Sequence, residues 1–324
     1  MWFLFIQKNL KKKVLKEEGA KEMKLTIFTP TYNRAHTLRR LYESLNRQTD
    51  LDFEWLVIDD GSTDDTETLM ETFLSQNPPF VVRYQKIDHR GKPFAQNLAL
   101  DLANGDFFLT CDSNKYLDDR AVEQISMMQD SIANAPMICG VGGYRASFSG
   151  KIYGGEMAKS KDGYIDCSNN DRVKYNLLGD KSTAFRTEIL RKYKSPIFPD
   201  ETFVTEAVWL IPMACDGYII RWFPQVLCYG EYDPDGLTAQ GANSYRGHEQ
   251  NYHGYLAYLK VALRAFGMVN MKSELIEAIK IAKAKHISLT AVAEEIGCDC
   301  KRLYYIWIRH ICGNFYRRYL RRAH

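Results

Sequence analysis

The sequence predicts an α/β fold in which a mostly parallel sheet is flanked by helices, with a helical C-terminal region after it. Three observations carry this. Strand-loop-helix units recur four times with short connections between about residues 24 and 134, the pattern of a doubly wound sheet. Three of the four strands run into polar residues at their carboxyl ends, where open α/β sheets bind ligands. From about residue 248 the apolar positions follow helical spacing.

The first unit is a strand over Lys24–Thr29, which alternates and stops at Pro30, followed by a loop to Arg34 and a helix from about His36 to Arg47. Leu38, Leu41, Tyr42 and Leu45 form the apolar face of that helix. A second strand, Glu54–Ile58, ends in the turn Asp59–Thr63, whose residues also suit a helix N-cap. The helix after it carries Thr66, Leu69, Met70, Phe73 and Leu74 on one face and breaks at Pro78-Pro79. A third strand, Phe80–Ile87, leads through Gly91 and Pro93 into a helix that Gly105 ends. The fourth strand, Phe107–Cys111, meets Asp112-Ser113-Asn114, and a helix follows from about Asp118 to Asn134. Right-handed crossovers put the strand-end loops on one edge of the sheet. Thr29–Arg34, Asp59–Thr63 and Asp112–Asn114 therefore surround one crevice.

The pattern loosens after Ile138–Tyr144. Residues 145–180 are rich in Gly, Ser, Asn, Asp and Tyr and read as loops with short strands. Lys181–Tyr193 reads as strand then helix, Phe203–Cys215 as a helix and Tyr218–Tyr229 as a returning strand. His248–Met271, Ser273–Lys283 and Ser288–Glu295 read as helices. No internal repeat is present.

Composition narrows the class. With 45% hydrophobic and 26% charged residues over 324 positions, the chain is ordinary for a soluble globular protein. Its net charge of +3 is too small to imply a nucleic-acid partner for the whole chain. The Lys301–His324 tail is different, with seven Lys or Arg and no Asp or Glu, and it suits an anionic surface. Ser288–Gly297 followed by Lys301 and Arg302 has the spacing of a helix-turn-helix, which two short packed helices explain as well. The eight cysteines are scattered and several lie in apolar runs, as reduced thiols in a cytoplasmic protein would. No segment approaches ~18 uninterrupted apolar residues, and the apolar start Met1–Ile6 precedes its basic residues, unlike a signal peptide.

Four elements occur in order: Thr29-Pro30-Thr31-Tyr32-Asn33-Arg34, Asp59-Asp60-Gly61-Ser62-Thr63-Asp64, Ala95-Gln96-Asn97, and Gly105 through Ser113. Together they resemble the nucleotide-sugar domain of family 2 glycosyltransferases with the GT-A fold, a Rossmann-related architecture. The resemblance covers residues 24–145 well and 175–240 more loosely. It implies an N-terminal extension (1–22), a GT-A domain (23–245, nucleotide half 23–145 and acceptor half 146–245), and a helical region with a basic aromatic tail (246–324).

The resemblance also implies roles. Thr29, Pro30, Thr31, Tyr32, Asn33 and Arg34 would approach the base and ribose of a nucleoside diphosphate sugar. Asp59 or Asp60, in the turn with Gly61 and Ser62, would accept from the base N–H, a task for an acceptor-only side chain. Asn97 and Ser113 belong to the same binding set. Lys92, opening the third helix, would favour a diphosphate, although a solvated lysine fits there too. Asp112 would face the ribose and a divalent cation, Mn2+ or Mg2+, with Asn114 as second ligand. Glu206, beside Ala207 where relatives carry a second acid, would be the general base of an inverting transfer, or a dipole-stabilised helix-terminal charge. Asp180 is a secondary acceptor-side candidate, Glu231–Thr238 a polar loop of one bacterial subgroup, and His248 and His253 possible contributors to metal or phosphate.

Asn114 stands where the family places its direct metal-ligating acid, and Lys115 adds a positive charge beside it. A unit charge at about 4 Å is worth ~4 kcal/mol at an effective dielectric of 20. Metal affinity is therefore expected to be weaker than usual, or Lys115 or Arg90 partly replaces the metal. The expected activity is transfer from a UDP-sugar to a hydroxyl of a glycan or lipid-linked acceptor in cell-envelope polysaccharide synthesis, in the cytoplasm or at the inner membrane face, without nucleic acid. The lost acids at 114 and 207 also allow a catalytically silent sugar-nucleotide-binding subunit.

Overall fold

A computed structural model of the protein describes residues 23–231 and 244–320, with side chains up to 312. The expected extension 1–22, the loop residues Tyr232–Thr238, and Arg321 and Arg322 lie outside the described residues.

β1 (Met23–Thr31), α1 (Ala35–Asn46), β2 (Phe53–Asp59), α2 (Thr66–Ser75), β3 (Val81–Lys86), α3 (Lys92–Leu102) and β4 (Gly105–Thr110) alternate as expected, except that α3 stops at Leu102 and Gly105 opens β4 instead of ending the helix. β1 is parallel to both β2 and β4, and β2 to β3. β1 does not stop at Pro30 but continues to Thr31. Its pairing with β4 ends at Phe28↔Thr110, while Pro30 still sits opposite Ile58 of β2. Phe28 O accepts from Cys111 on the β4 side and Thr31 O from Asp60 on the β2 side. Alternation thus turns the nitrogen of Pro30 toward β4 beyond their last pair, where no ladder bond is lost.

After β5 (Tyr116–Leu117) and α4 (Ala121–Asp130) come β6 (Ile138–Ala146), β7 (Ile165–Cys167), a 3-10 turn (Asn169–Tyr175), β8 (Lys181–Arg186), α5 (Thr187–Leu190), α6 (Ala207–Cys215) and β9 (Ile219–Tyr229). The sheet order is β3-β2-β1-β4-β8-β6-β9-β5, with β7 beside β9. It is parallel from β3 to β4 and mixed beyond, because β8 inserts antiparallel between β4 and β6.

Helices α7 (Tyr245–Gln250), α8 (Tyr252–Asn270), α9 (Lys272–Ala284), α10 (Leu289–Ile296) and α11 (Cys300–Leu320) complete the chain. Three expected helices differ from their apolar patterns: Asp118–Asn134 is helical over Ala121–Asp130, Phe203–Cys215 over Ala207–Cys215, and His248–Met271 is interrupted at Asn251. Its Oδ1 accepts from Thr202 and Phe203 N–H at 3.1 and 3.0 Å, and its Nδ2 donates to Gly247 O at 3.1 Å. Residue 251, at φ −116° and ψ 57°, separates α7 from α8.

One face of the sheet packs Leu25, Ile27, Trp55 and Val57 against α1, α2 and α4, and the other packs Phe28, Leu56, Ile58 and Phe108 against α3 and α6. A third cluster joins Ile211 of α6 to α8, α9, α10 and Leu303 of α11, seating the C-terminal helices on the helix that follows Glu206. The face of β1 and β2 under α3 leads directly to the strand ends where polar residues gather.

Candidate functional site

A cleft of about 690 Å³ lies at the carboxyl ends of β1 and β4 and is closed by the segment before α6. Pro30, Thr31, Tyr32, Arg34, Asp60, Lys92, Asp112, Ser113, Asn114, Asp180 and Glu206, distant in sequence, all line it. Thr29, Asn33, Asp59, Gly61, Ser62 and Asn97 stand behind its wall.

These residues build the wall. Thr29 Oγ1 donates to Cys111 O at 2.9 Å and accepts from Trp55 Nε1 at 3.0 Å, joining three strands. Asn33, at φ 52°, accepts the Thr63 N–H on its Oδ1 at 2.8 Å, while its own N–H reaches Ser62 Oγ at 2.8 Å. Asp59 is fully buried, accepting from Ser62 N–H at 2.8 Å and Tyr84 O–H at 2.6 Å. Burial and that hydrogen bond push the Tyr84 hydroxyl well above its usual pKa. Asn97 holds Ser195 through both backbone groups. Of the two adjacent aspartates, only Asp60 borders the cleft.

Asp60 organises the next turn. Its oxygens accept the N–H groups of Arg90 and Gly91 at 2.7 and 2.8 Å, and His89 Nδ1 lies 2.8 Å from Oδ2. His89 stacks on Tyr32 with centroids 4.3 Å apart, leaving Tyr32 43% exposed at the rim. Gly91 has φ 86°, and a Cβ there would lie 2.5 Å from the Thr202 backbone. The turn before Lys92 thus touches the segment that leads to Glu206.

Charge concentrates at Asp112. Lys92 Nζ lies 2.9 Å from Oδ1, and Lys115 Nζ pairs with Oδ2. Burial opposes ionisation of Asp112, but Lys115 and then Lys92 outweigh it and hold the carboxyl well below its usual range. Burial likewise opposes the Lys92 ammonium, and Asp112 and Glu206 overcome it and raise its pKa. Glu206 Oε1 is 3.9 Å from Lys92 Nζ, its side chain 53% exposed. Asp180 pairs with Arg145 at 2.9 Å. Burial, then Arg172, brings the neighbouring Lys181 down to about 8 against the pull of Asp180. His248 and His253 sit away from the cleft, 2.7 Å from Glu277 and Glu295.

His89, Arg145 and Glu231 line the cleft without having been singled out as binding residues. Arg145 meets Asp180 across 35 residues, and no local pattern announces such a pairing.

The expected divalent cation does not match this donor set. Of the two expected ligands only Asp112 offers a carboxylate, both of its oxygens face ammonium groups, and Asn114 brings only a neutral carbonyl. Among the described residues no three His, Cys, Asp or Glu gather as a metal-holding group.

The model of glycosyl transferase family 2 matches residues 26–194. The chain is similar to the chondroitin synthase of Pasteurella multocida, 34% identical over 99 residues, which is 31% of this chain but 10% of that relative's length. It is 24% identical over 289 residues to the GalNAc(5)-diNAcBac-PP-undecaprenol beta-1,3-glucosyltransferase of Campylobacter jejuni, covering 87% of this chain and 86% of that protein. The fold is shared with Staphylococcus aureus TarS residues 1–349, solved in complex with UDP-GlcNAc, at a TM-score of 0.59 and 16% identity, over 90% of this chain and 92% of the other.

Proposed function

The chain belongs to glycosyl transferase family 2, and on that premise we propose that it transfers a sugar from a nucleoside diphosphate donor, UDP-linked, to a hydroxyl of a glycan or lipid-linked acceptor with inversion. The observation that carries this reading is the placement of Lys92, 2.9 Å from Asp112 and 3.9 Å from Glu206. A donor diphosphate beside Lys92 and Asp112 leaves the exposed Glu206 carboxylate within reach of an incoming hydroxyl. The base and ribose lie along Pro30–Tyr32 and Asp60, and residues 146–245 form the acceptor side. The UDP-GlcNAc complex of TarS and the lipid-linked substrate named for the Campylobacter relative support the donor and acceptor classes.

In the reaction the acceptor oxygen attacks the anomeric carbon, its proton passes to Glu206, and the bond to the diphosphate breaks with its electron pair on the departing oxygen. Turnover with a panel of sugar nucleotides and lipid-linked or oligosaccharide acceptors tests this. Glu206→Gln is expected to lower kcat by about 10²–10⁴-fold while nucleotide binding persists. Binding without turnover across the panel favours the silent subunit.

The C-terminal helix supports a site of work at the cytoplasmic membrane face. Tyr304, Tyr305, Ile308 and Ile311 are exposed at helical spacing on α11, among Lys301, Arg302 and Arg309. No helix of the described residues is long and apolar enough to cross a membrane. Leu303 is buried in the helical cluster, so substitution of Tyr305 and Ile308 by Ser is a cleaner test than truncation. Loss of flotation with phosphatidylglycerol vesicles is the expected result, and unchanged binding overturns it.

A further inference from the structure

Resting on the nucleotide-sugar reading above, we propose that Lys92 and Lys115, held together by Asp112, take the place of a divalent cation: their ammonium groups bind the donor diphosphate and neutralise it as it leaves. The two lysines reach Asp112 from different elements, Lys92 from the start of α3 and Lys115 from the turn after β4. Each takes one carboxylate oxygen, so the positions from which Asp112 would bind a cation are already occupied by cationic groups. A dication there would stand beside two ammonium charges with one carboxylate and one amide carbonyl to hold it. A diphosphate meets the reverse situation, a surplus of positive charge on two fixed points.

The fold keeps room for the second lysine. Gly230 has no positive φ to explain it, yet a Cβ at that position would lie 2.7 Å from Lys115 Cγ. The Lys115 side chain is only 12% exposed, packed along that backbone with its head at Asp112. Asp112 is a positioning residue here, since it fixes the two ammonium groups in advance and leaves them little to reorganise during transfer.

The step balances without a metal. The acceptor O–C1 bond forms as the C1–O bond to the diphosphate breaks, and the leaving oxygen keeps the electron pair. The hydroxyl proton goes to Glu206, and the new phosphate charge is met by hydrogen bonds from Lys92 and Lys115.

Calorimetry of UDP, GDP and UMP against the full chain, with EDTA and with Mn2+ or Mg2+, tests the assignment. UDP affinity and turnover are expected to be unchanged by EDTA. Lys92→Met and Lys115→Met are each expected to weaken UDP binding by about tenfold or more, with a smaller loss for UMP. Gly230→Ala, which retains both lysines but displaces Lys115, is expected to reproduce the Lys115→Met loss, with circular dichroism confirming a folded chain. Lys115→Asp, which removes an ammonium and adds a second carboxylate, is expected to make UDP binding cation-dependent. Wild-type UDP binding that collapses in EDTA, or lysine variants that bind UDP like the wild type, overturns the assignment and leaves the nucleotide-sugar reading standing. A wild-type chain that binds no nucleoside diphosphate under any cation condition overturns that reading itself.

Discussion

Lys92 Nζ stands 2.9 Å from Asp112 Oδ1, which ties the first residue of α3 to the polar end of β4. The two residues belong to neighbouring strand-loop-helix units, and the same ammonium reaches toward Glu206 at the head of α6. One lysine therefore joins the parallel half of the sheet to the segment that closes the cleft.

The Asp112 pair makes stability depend on acid pH. The folded carboxyl is held well below its unfolded value of about 3.9. A depressed carboxyl contributes stability that is fully present above the unfolded pKa and is lost as pH falls toward the folded one. Stability to urea is expected to fall progressively from about pH 4 downward, and Asp112→Asn is expected to flatten that slope. An identical slope in wild type and variant contradicts the assignment.

Gly91 is needed for two separate reasons. Its φ of 86° disfavours a side chain, and a Cβ would lie 2.5 Å from the Thr202 backbone, which cannot swing aside as a flexible side chain can. Gly91→Ala is expected to cost about 2–4 kcal/mol in chemical denaturation. It should also weaken nucleotide binding, because the Arg90 and Gly91 amides that Asp60 holds set the entry to Lys92.

The parallel half of the sheet was readable because β1 to β4 follow local rules: apolar runs, Pro78-Pro79 after one helix and Gly91 before the next, and helices with 3.6-residue spacing. The crevice was readable for the same reason, since crossover handedness collects strand ends without any knowledge of side-chain contacts. What could not be read was set by long-range partners. Asn251 falls outside helical geometry between α7 and α8 and hydrogen-bonds Thr202, Phe203 and Gly247, partners about 50 and 4 residues away. Asp59 and Asp60 look alike as neighbours in a turn, yet Tyr84 and Ser62 seal one while the other borders the cleft. Lys115 was visible as an unusual charge, but its pairing with the same carboxylate as Lys92 required the fold.

Lys181 offers a chemical handle on the cleft. Burial, reinforced by Arg172, brings its amine down to about 8, so it is substantially neutral at pH 8 while ordinary lysines remain charged. Brief labelling with an amine-selective reagent at pH 8, followed by peptide mass spectrometry, is expected to modify Lys181 ahead of exposed lysines such as Lys161. Labelling that follows exposure alone contradicts the depressed value. A bound sugar nucleotide is expected to slow the reaction, since Lys181 lines the cleft.

A stability loss of similar size is expected away from the cleft, at Glu54, the second residue of β2. Its side chain is fully buried, with Arg83 Nη1 at 3.0 Å as its ion partner. Thr26 Oγ1 donates to it at 2.7 Å, and Asn104 donates through its backbone at 2.7 Å and its amide at 3.0 Å. This network joins β1, β2 and β3 to the loop that begins β4, the strand that delivers Asp112. Removing Arg83 leaves the buried Glu54 charge with three neutral donors and no counter-ion. Arg83→Met is therefore expected to destabilise by about 3 kcal/mol, reduced somewhat because the Arg83 side chain is 32% exposed. The double variant Arg83→Met with Glu54→Gln is expected to recover part of that loss, because it removes the stranded charge and keeps one oxygen to accept from Thr26 Oγ1 and the Asn104 N–H. Chemical denaturation of both variants decides the matter: a double variant no more stable than Arg83→Met alone shows that the uncompensated charge is not the cause.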